Sequence, residues 1–330
     1  MNTCESCCWW TPNQKDVEQA EDGKYLCTNA EVGIRTGIAF GCTEHLGANA
    51  TEVNVPDHLK DGTMFDANPN KLDGPTEVLI RSHHKDFEWL VYALRSITKY
   101  FTGFQGTTIV FPNSEMERFK PLRDQFDIRL HGFDQVEGKG HLHGMAMMAS
   151  ADQFLPAGTK YVLTTDSDGI FKMPCTPENF AWDDRPYWIA RSWESLATDD
   201  PANPGRKIIS DNAQWRGPTA EQLGFDPPVF SMCVNAQLIP LDVLPAYRHH
   251  IEAIQHKPFV EFMVDGRNEF PPNRMDFTAL GAYFYKHHQS RFFWFDVMAP
   301  PFPGDRKKSY WSWGGITPNI REEIERIIAG

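Results

Sequence analysis

Asp166 and Asp168 stand one residue apart in the stretch YVLTTDSDG, behind an apolar run and directly before Gly169. Carboxylates at that spacing on a strand-to-loop turn can converge on one hard cation. Mg2+ or Mn2+ held there keeps positions open for two diphosphate oxygens and neutralises charge as a nucleotide diphosphate leaves. The same pair can divide into a nucleophile and a general acid or base, which is phosphoryl transfer through an aspartyl intermediate. A third use, capping the following turn, needs no ligand.

Other side chains could serve such a reaction. The stretch APPFPGDRKKSYWSWGG sets Arg306, Lys307 and Lys308 beside Tyr310, Trp311 and Trp313 in a Pro- and Gly-rich loop. The cations suit a diphosphate and the indoles suit a sugar or base face. The combination also suits a nucleic-acid acceptor, whose backbone needs cations and whose unpaired base needs a stacking surface. Lys139, between two glycines, is a phosphate candidate because flexible backbone lets its ammonium approach. His83, His84, His141, His143, His287 and His288 could each contact phosphate or complete a metal site, although a lone His more often caps or faces solvent.

Five of the seven cysteines fall in the first 42 residues. In a reducing compartment, C-x2-C followed by two more spaced cysteines reads as a zinc site, because Zn2+ takes four soft ligands in a tetrahedron. Cys4, Cys7, Cys27 and Cys42 are the expected ligands, with Cys8 and His45 as substitutes.

These groups need a scaffold. The chain has 330 residues, 41% of them hydrophobic, enough for one large domain with a small appendage. No apolar run reaches the roughly 20 residues that span a bilayer, and MNTCESCCWW lacks the order of a signal peptide, so a cytoplasmic protein with no membrane partner is expected. A net charge of −12 excludes a generally basic nucleic-acid-coating protein and leaves room for a local basic patch. Three segments follow: 1–46 cysteine-rich, 47–76 a linker rich in Gly, Pro, Asn and Asp, and 77–330 the main domain.

In that domain EVLIRS, TTIVF, DIRLHGF and KYVLTTDSD read as strands. Between them DFEWLVYALRSITKYF, SEMERFKPLRDQF and HLHGMAMMASADQFL read as helices. Alternation of this kind predicts an α/β fold with a mostly parallel sheet and right-handed crossovers. Ligands bind beyond the carboxyl ends of such strands, where Ser82 to Asp86, Gln135 to His141 and Asp166 to Asp168 should converge. Further on, PYWIAR, PVFSMCVNAQ and RFFWFDV predict strands. PLDVLPAYRHHIEAIQ, DFTALGAYFYKHH and a segment from Pro318 predict helices.

Two families share the carboxylate signature. The haloacid dehalogenase phosphotransferases carry Asp-x-Asp on their first strand, followed by a later Gly-Asp-x3-Asp motif. Here three strand–helix units precede Asp166, and PGDRKKS has Ser309 where the second acid belongs. The chain more closely resembles the GT-A-fold nucleotide-sugar glycosyltransferases, specifically a bacterial and phage branch that includes enzymes hypermodifying phage DNA. RSHHKDFEWLVYALRSI, YVLTTDSDGIF, DFTALGAYFYKHH and YWSWGGITPNI carry the likeness over about residues 77–325, and the cysteine-rich head is similar to short motifs at phage protein N-termini.

The resemblance implies a GT-A-like (Rossmann-like) sheet and a Mn2+ or Mg2+ ion on Asp166 and Asp168. It implies a nucleotide sugar, a UDP-sugar first, met by Ser82, Asp86, Lys139, Arg306, Lys307 and Trp313 under a closing loop. Asp276 would be the base that deprotonates the acceptor, at a position where relatives more often show Glu; as an Asp at a helix start it also suits an N-cap. The favoured acceptor is the hydroxyl of a 5-hydroxymethylpyrimidine in DNA, with a glycan or small molecule as the alternative.

Overall fold

The computed structural model describes residues 71–182, 184–199, 207–209, 211–231, 236–267, 273–296, 306–310 and 312–330, together with short strands at 17–19 and 25–27. Cys4, Cys7, Cys42 and residues 47–70 lie outside the described residues, as does the side chain of Cys27.

Along the chain come β1 (Val17–Gln19) and β2 (Tyr25–Cys27), an antiparallel pair, then β3 (Thr76–Arg81), α1 (Phe87–Tyr100), β4 (Gly106–Pro112) and α2 (Met116–Phe119). β5 (Ile128–Phe133), α3 (Gly140–Met148), β6 (Tyr161–Asp166), β7 (Gly169–Phe171), β8 (Ala181–Trp182) and β9 (Arg185–Ala190) follow. Next are β10 (Ala197–Asp199), β11 (Lys207–Ile209), α4 (Arg216–Leu223), β12 (Gln237–Pro240), α5 (Leu244–Gln255) and α6 (Phe259–Val264). α7 (Phe277–His287), β13 (Phe293–Asp296), β14 (Lys307–Ser309) and α8 (Pro318–Ala329) complete the order.

The central sheet runs β12-β6-β3-β4-β5, with β3 to β6 parallel and β12 antiparallel at one edge. Parallel strands bury both faces, so they read as continuous apolar runs. Side chains alternate across the sheet. Val78 and Ile80 face Leu90, Leu94 and Ile97 of α1, whereas Leu79 faces the cluster that includes Leu142 of α3 and Leu280 of α7. The result is a helix–sheet–helix sandwich. After β5 the chain returns to place β6 on the other side of β3, so the winding direction switches between β3 and β6.

A second stripe of α1, Trp89, Tyr92 and Ala93, packs with Tyr310 and with Ile324 of α8. The last carbonyls of α8 lack intrahelical partners. Tyr100 Oη donates to Ile327 O and Lys99 Nζ to Ile328 O, both at 2.6 Å. Arg95 also meets Glu325 in a bidentate pair at 2.7 Å, partly exposed and so worth below about 1 kcal/mol.

The sequence expectation holds for most elements, with two differences. SEMERFKPLRDQF yields one α-helical turn and then a 3-10 segment over Lys120–Asp124, because Pro121 has no N–H to extend an α-helix. Of the strand expected from PVFSMCVNAQ, β12 takes Gln237 and runs on to Pro240, Phe230 makes an isolated bridge to Arg191, and residues 232–235 lie outside the described residues.

Helix α7 passes so close to its neighbours that a Cβ on Gly281 would lie 2.0 Å from Ser231 Oγ and 2.5 Å from Trp188 Nε1. Both neighbours are buried. Gly281→Ala should therefore destabilise the protein by about 1–3 kcal/mol through overpacking, read as a lower urea midpoint. An unchanged midpoint would contradict this packing.

Candidate active site

In the parallel register of β3 against β6, Arg81 and Asp166 are partners at the carboxyl ends of their strands. They meet at the switch point, where open α/β sheets bind ligands. Arg81 Nη2 donates to Asp166 Oδ1 at 2.8 Å and Nε donates to the same oxygen at 3.2 Å; Nη1 reaches Asp276 Oδ2 at 3.4 Å. One guanidinium thus ties together β3, β6 and the start of α7. Asp276 is the N-cap of α7, its Oδ1 accepting the Phe277 N–H at 2.6 Å. It is a cap and also faces the cleft.

The loop after β6 is joined to the C-terminal segment. β7 pairs antiparallel with β14, with Gly169 opposite Ser309 and Phe171 opposite Lys307. Tyr310 N–H donates to Asp168 O at 3.0 Å, and Ser312 N–H donates to Asp168 Oδ2 at 3.1 Å. Lys307 Nζ approaches Thr165 Oγ1 at 3.4 Å. The aromatic and basic segment thus begins as a strand fixed against the carboxylate loop.

Burial pushes the Asp168 carboxyl up, the neighbouring Asp166 charge adds to this, and Asp86 adds less; Lys307 and the Ser312 N–H only partly oppose them, leaving it at about 7. Burial also raises Asp166, but Arg81, Lys307 and His141 outweigh it and hold this carboxyl below the usual range. The Asp166 side chain keeps 51% of its surface open while standing among many protein atoms, as a group on the floor of a cleft does.

The three consecutive cations go three ways. Lys307 turns to the carboxylates. Arg306 is buried and donates to Pro174 O at 2.6 Å. Lys308 pairs with Glu323 of α8 and lies over the Tyr310 ring. Trp313 has its backbone in the turn Ser312–Gly314; its side chain is outside the described residues.

Asp86 holds the N-cap position of α1 but makes no cap hydrogen bond. Its Oδ2 instead accepts from Ser167 Oγ at 3.3 Å and lies 3.2 Å from His83 Nε2, which draws it toward the β6 loop. Ser82, buried at the tip of β3, has an Oγ with no hydrogen-bond partner among the described residues. Such a hydroxyl is ordinarily satisfied by water or ligand. Lys139 stands further off, its Nζ donating to Gly266 O at 2.6 Å.

Arg81 is the residue of this cluster that sequence reasoning did not single out. The Cδ of Arg81 lies 3.8 Å from where a Cβ on Gly144 would sit. His141 is one turn earlier on that face of α3; desolvation and then the Arg81 charge hold its pKa below the ordinary value, against Asp276 and Asp166. A cavity of about 240 Å3 lies elsewhere, beneath α1 at the amino ends of β3 and β4, with Leu94, Ile97, Phe101 and Phe126 among its walls. Its mainly apolar lining does not suit a diphosphate.

No protein-family model matches the chain, and no curated protein matches it. Solved structures do match. One is 4-diphosphocytidyl-2C-methyl-D-erythritol synthase from Anaerococcus prevotii DSM 20548, with 9% identity over 78% of this chain and 95% of that one, at a TM-score of 0.35. At that overlap the fold rests on this chain's own strand order, and the site on its own side chains. Among the described residues no helix is long and apolar enough to cross a membrane.

Proposed function

We propose that the chain is a metal-dependent glycosyltransferase that moves a sugar from a nucleotide diphosphate donor, a UDP-sugar in the first instance, to a hydroxyl. The observation that carries the reading is the convergence of Asp166, Asp168 and Lys307 at the switch point of a parallel sheet. Asp168, raised by burial and by Asp166, is a carboxyl short of positive charge, and an all-oxygen donor set suits Mg2+ or Mn2+. Among the described residues no three His, Cys, Asp or Glu side chains are grouped to hold a metal. Asp168 with Asp166 would therefore hold the ion together with donor phosphate and water oxygens. When bound, it supplies charge neutralisation at the departing diphosphate.

Lys307 adds a fixed cation beside it, and Asp86 steadies the loop through Ser167. A phosphotransferase of the haloacid dehalogenase type is less well supported. Its first Asp attacks phosphorus, whereas Asp166 Oδ1 accepts two N–H groups from Arg81.

For the acceptor we favour a 5-hydroxymethylpyrimidine in DNA, supported by the sequence resemblance. One observation favours a small hydroxylated acceptor instead: Arg306 and Lys308 are engaged within the fold, on a chain of net charge −12. Purified protein with Mn2+, a panel of nucleotide sugars and a hydroxymethylated duplex should release nucleoside diphosphate and label the DNA, less so as salt rises. Label on a simple sugar with none on the duplex at low salt would end the DNA reading, and no donor turnover would end the glycosyltransferase reading.

The cysteine-rich head is proposed to hold one zinc on Cys4, Cys7, Cys27 and Cys42, metal-ligand energy replacing the core so short a segment lacks. Elemental analysis should find close to one zinc per chain, reduced in Cys7→Ser; protein prepared without chelator and free of zinc would refute it.

Gly169 gives this reading a further check. A Cβ there would lie 2.8 Å from Lys307 Cδ and 3.1 Å from Nζ. The Lys307 stem is flexible, so the cost falls on where the ammonium sits. Gly169→Ala should melt close to the parent yet raise the donor KM roughly tenfold, as for a lost charged contact of about 1.5 kcal/mol. A normal KM would remove Lys307 from the donor site.

A further inference from the structure

Helices α5 and α7 bring together two imidazoles that sugar transfer does not use. His250 of α5 and His287, the last residue of α7, have ring centres 5.5 Å apart and planes at 51°. Tyr283, one turn before His287 on the same face of α7, touches both rings, at 5.1 Å from His250 and 4.7 Å from His287. Phe225 stands 5.8 Å from each. Two imidazoles that share one tetrahedral ion, with each nitrogen about 2.0–2.1 Å from it, stand roughly 5 Å apart centre to centre, close to the spacing seen here. The tautomer of one ring is set by its surroundings. His250 Nε2 lies 2.8 Å from Leu223 O; a carbonyl only accepts, so Nε2 carries the proton and Nδ1 the lone pair. Metal-binding imidazoles are ordinarily oriented in this way, the second nitrogen donating to a carbonyl or carboxylate. His287 is exposed, and its nitrogens have no hydrogen-bond partner among the described residues, so the ring can turn to meet an ion.

We propose that His250 and His287 form a site for a late first-row dication, Ni2+, Cu2+ or Zn2+, which bridges α5 and α7. Imidazole nitrogens suit these ions, whereas Mg2+, Ca2+ and Mn2+ prefer oxygen. Among the described residues no three His, Cys, Asp or Glu side chains group around one point, and the neighbouring His288 has its Nε2 buried. The chain therefore supplies two ligands and water the others. Lys286, with Nζ 3.7 Å from the Phe225 ring centre, places a positive charge nearby and weakens the site. α7 runs from its cap Asp276 to His287, so this site and the cleft carboxylates stand at opposite ends of one helix, roughly 16 Å apart along its axis. The proposal does not depend on sugar transfer. An ion that needs both helices in place binds the folded chain alone and stabilises it by mass action.

The test titrates the full chain with Ni2+ at neutral pH, and comparison with variants cancels any ion taken by the cysteines or by Asp166 and Asp168. Calorimetry should count one Ni2+ more per parent chain than per His287→Gln or His250→Gln chain; Gln at 250 keeps a donor for the Leu223 carbonyl. Ni2+ should raise the melting temperature of the parent more than that of either variant. His249→Gln, at an exposed position of α5 whose ring touches neither imidazole, should behave as the parent. In the parent alone, small additions of Ni2+ should broaden the imidazole proton signals of His250 and His287 together, a readout that needs no variant to fold. Equal stoichiometry in the parent and both variants, or broadening of only one of the two rings, overturns the proposal.

Discussion

Asp168→Asn should abolish metal-dependent turnover of nucleotide sugars and, in metal-free buffer at pH 8, melt above the parent. The loss follows from the ion's work at the departing diphosphate. Several kcal/mol of charge stabilisation is at stake, on the order of a thousandfold in rate. The gain in stability follows from the same carboxyl. Its folded-state pKa is raised from 3.8 to about 7, chiefly by burial and then by Asp166. A raised acid destabilises the folded state when ionised: the cost is complete above about pH 7, shrinks as pH falls and vanishes below 3.8.

Full burial would set that cost near 4 kcal/mol. Part of the carboxyl meets water, so about 2 kcal/mol is the expected gain. Asn keeps an acceptor for the Ser312 N–H. The advantage should close between pH 8 and pH 4, and Mn2+ at pH 8 should raise the melting temperature of the parent alone. Equal melting curves at every pH would mean that Asp168 is ordinarily solvated and that the site does not draw in a cation.

How much of this arrangement was legible in the sequence depends on what kind of contact made it. β3, β4 and β6 were legible because strands buried on both faces must be apolar throughout, and their alternation with helices implied a parallel sheet and a cleft beyond Ser82 and Asp166. The partnership of Arg81 with Asp166 was not, since it depends on the register of two strands 85 residues apart and EVLIRS reads equally well with Arg81 as a mere strand end. β7 and β14 are three residues each, and KKS has no hydrophobic pattern to betray a strand. Once those residues are extended, alternation sends Lys307 to one side and Lys308 to the other, which no inspection of a basic triplet could reveal. Asp86 shows the same limit: its residue type suits an N-cap, yet the structure turns its carboxylate toward Ser167, a contact that no local pattern announces.

The second large effect belongs to Arg81. Arg81→Met should destabilise the metal-free protein and at the same time tighten its hold on Mn2+. Arg81 is 17% exposed and Asp276 is 11% exposed, so removing the guanidinium leaves a carboxylate in poorly solvated surroundings beside Asp166 and Asp168. Breaking a buried pair costs about 3–5 kcal/mol; with half of Asp166 open to water, about 2–4 kcal/mol is expected here.

The pH dependence has the opposite sign to that of Asp168. Although burial opposes it, Arg81 and Lys307 hold Asp166 below its unfolded value, so its contribution is present above pH 3.8 and is lost as pH falls through the lower folded value. The deficit of Arg81→Met should therefore be largest at neutral pH and narrow in acid. Meanwhile Asp166 Oδ1, no longer accepting two N–H groups, becomes available to a cation. Calorimetry should show a lower Kd for Mn2+ in the variant, and Mn2+ should raise its melting temperature more than the parent's. If Arg81→Met melts like the parent and binds Mn2+ no more tightly, the guanidinium is not what neutralises Asp166, and the division of labour between Asp166 and Asp168 has to be redrawn.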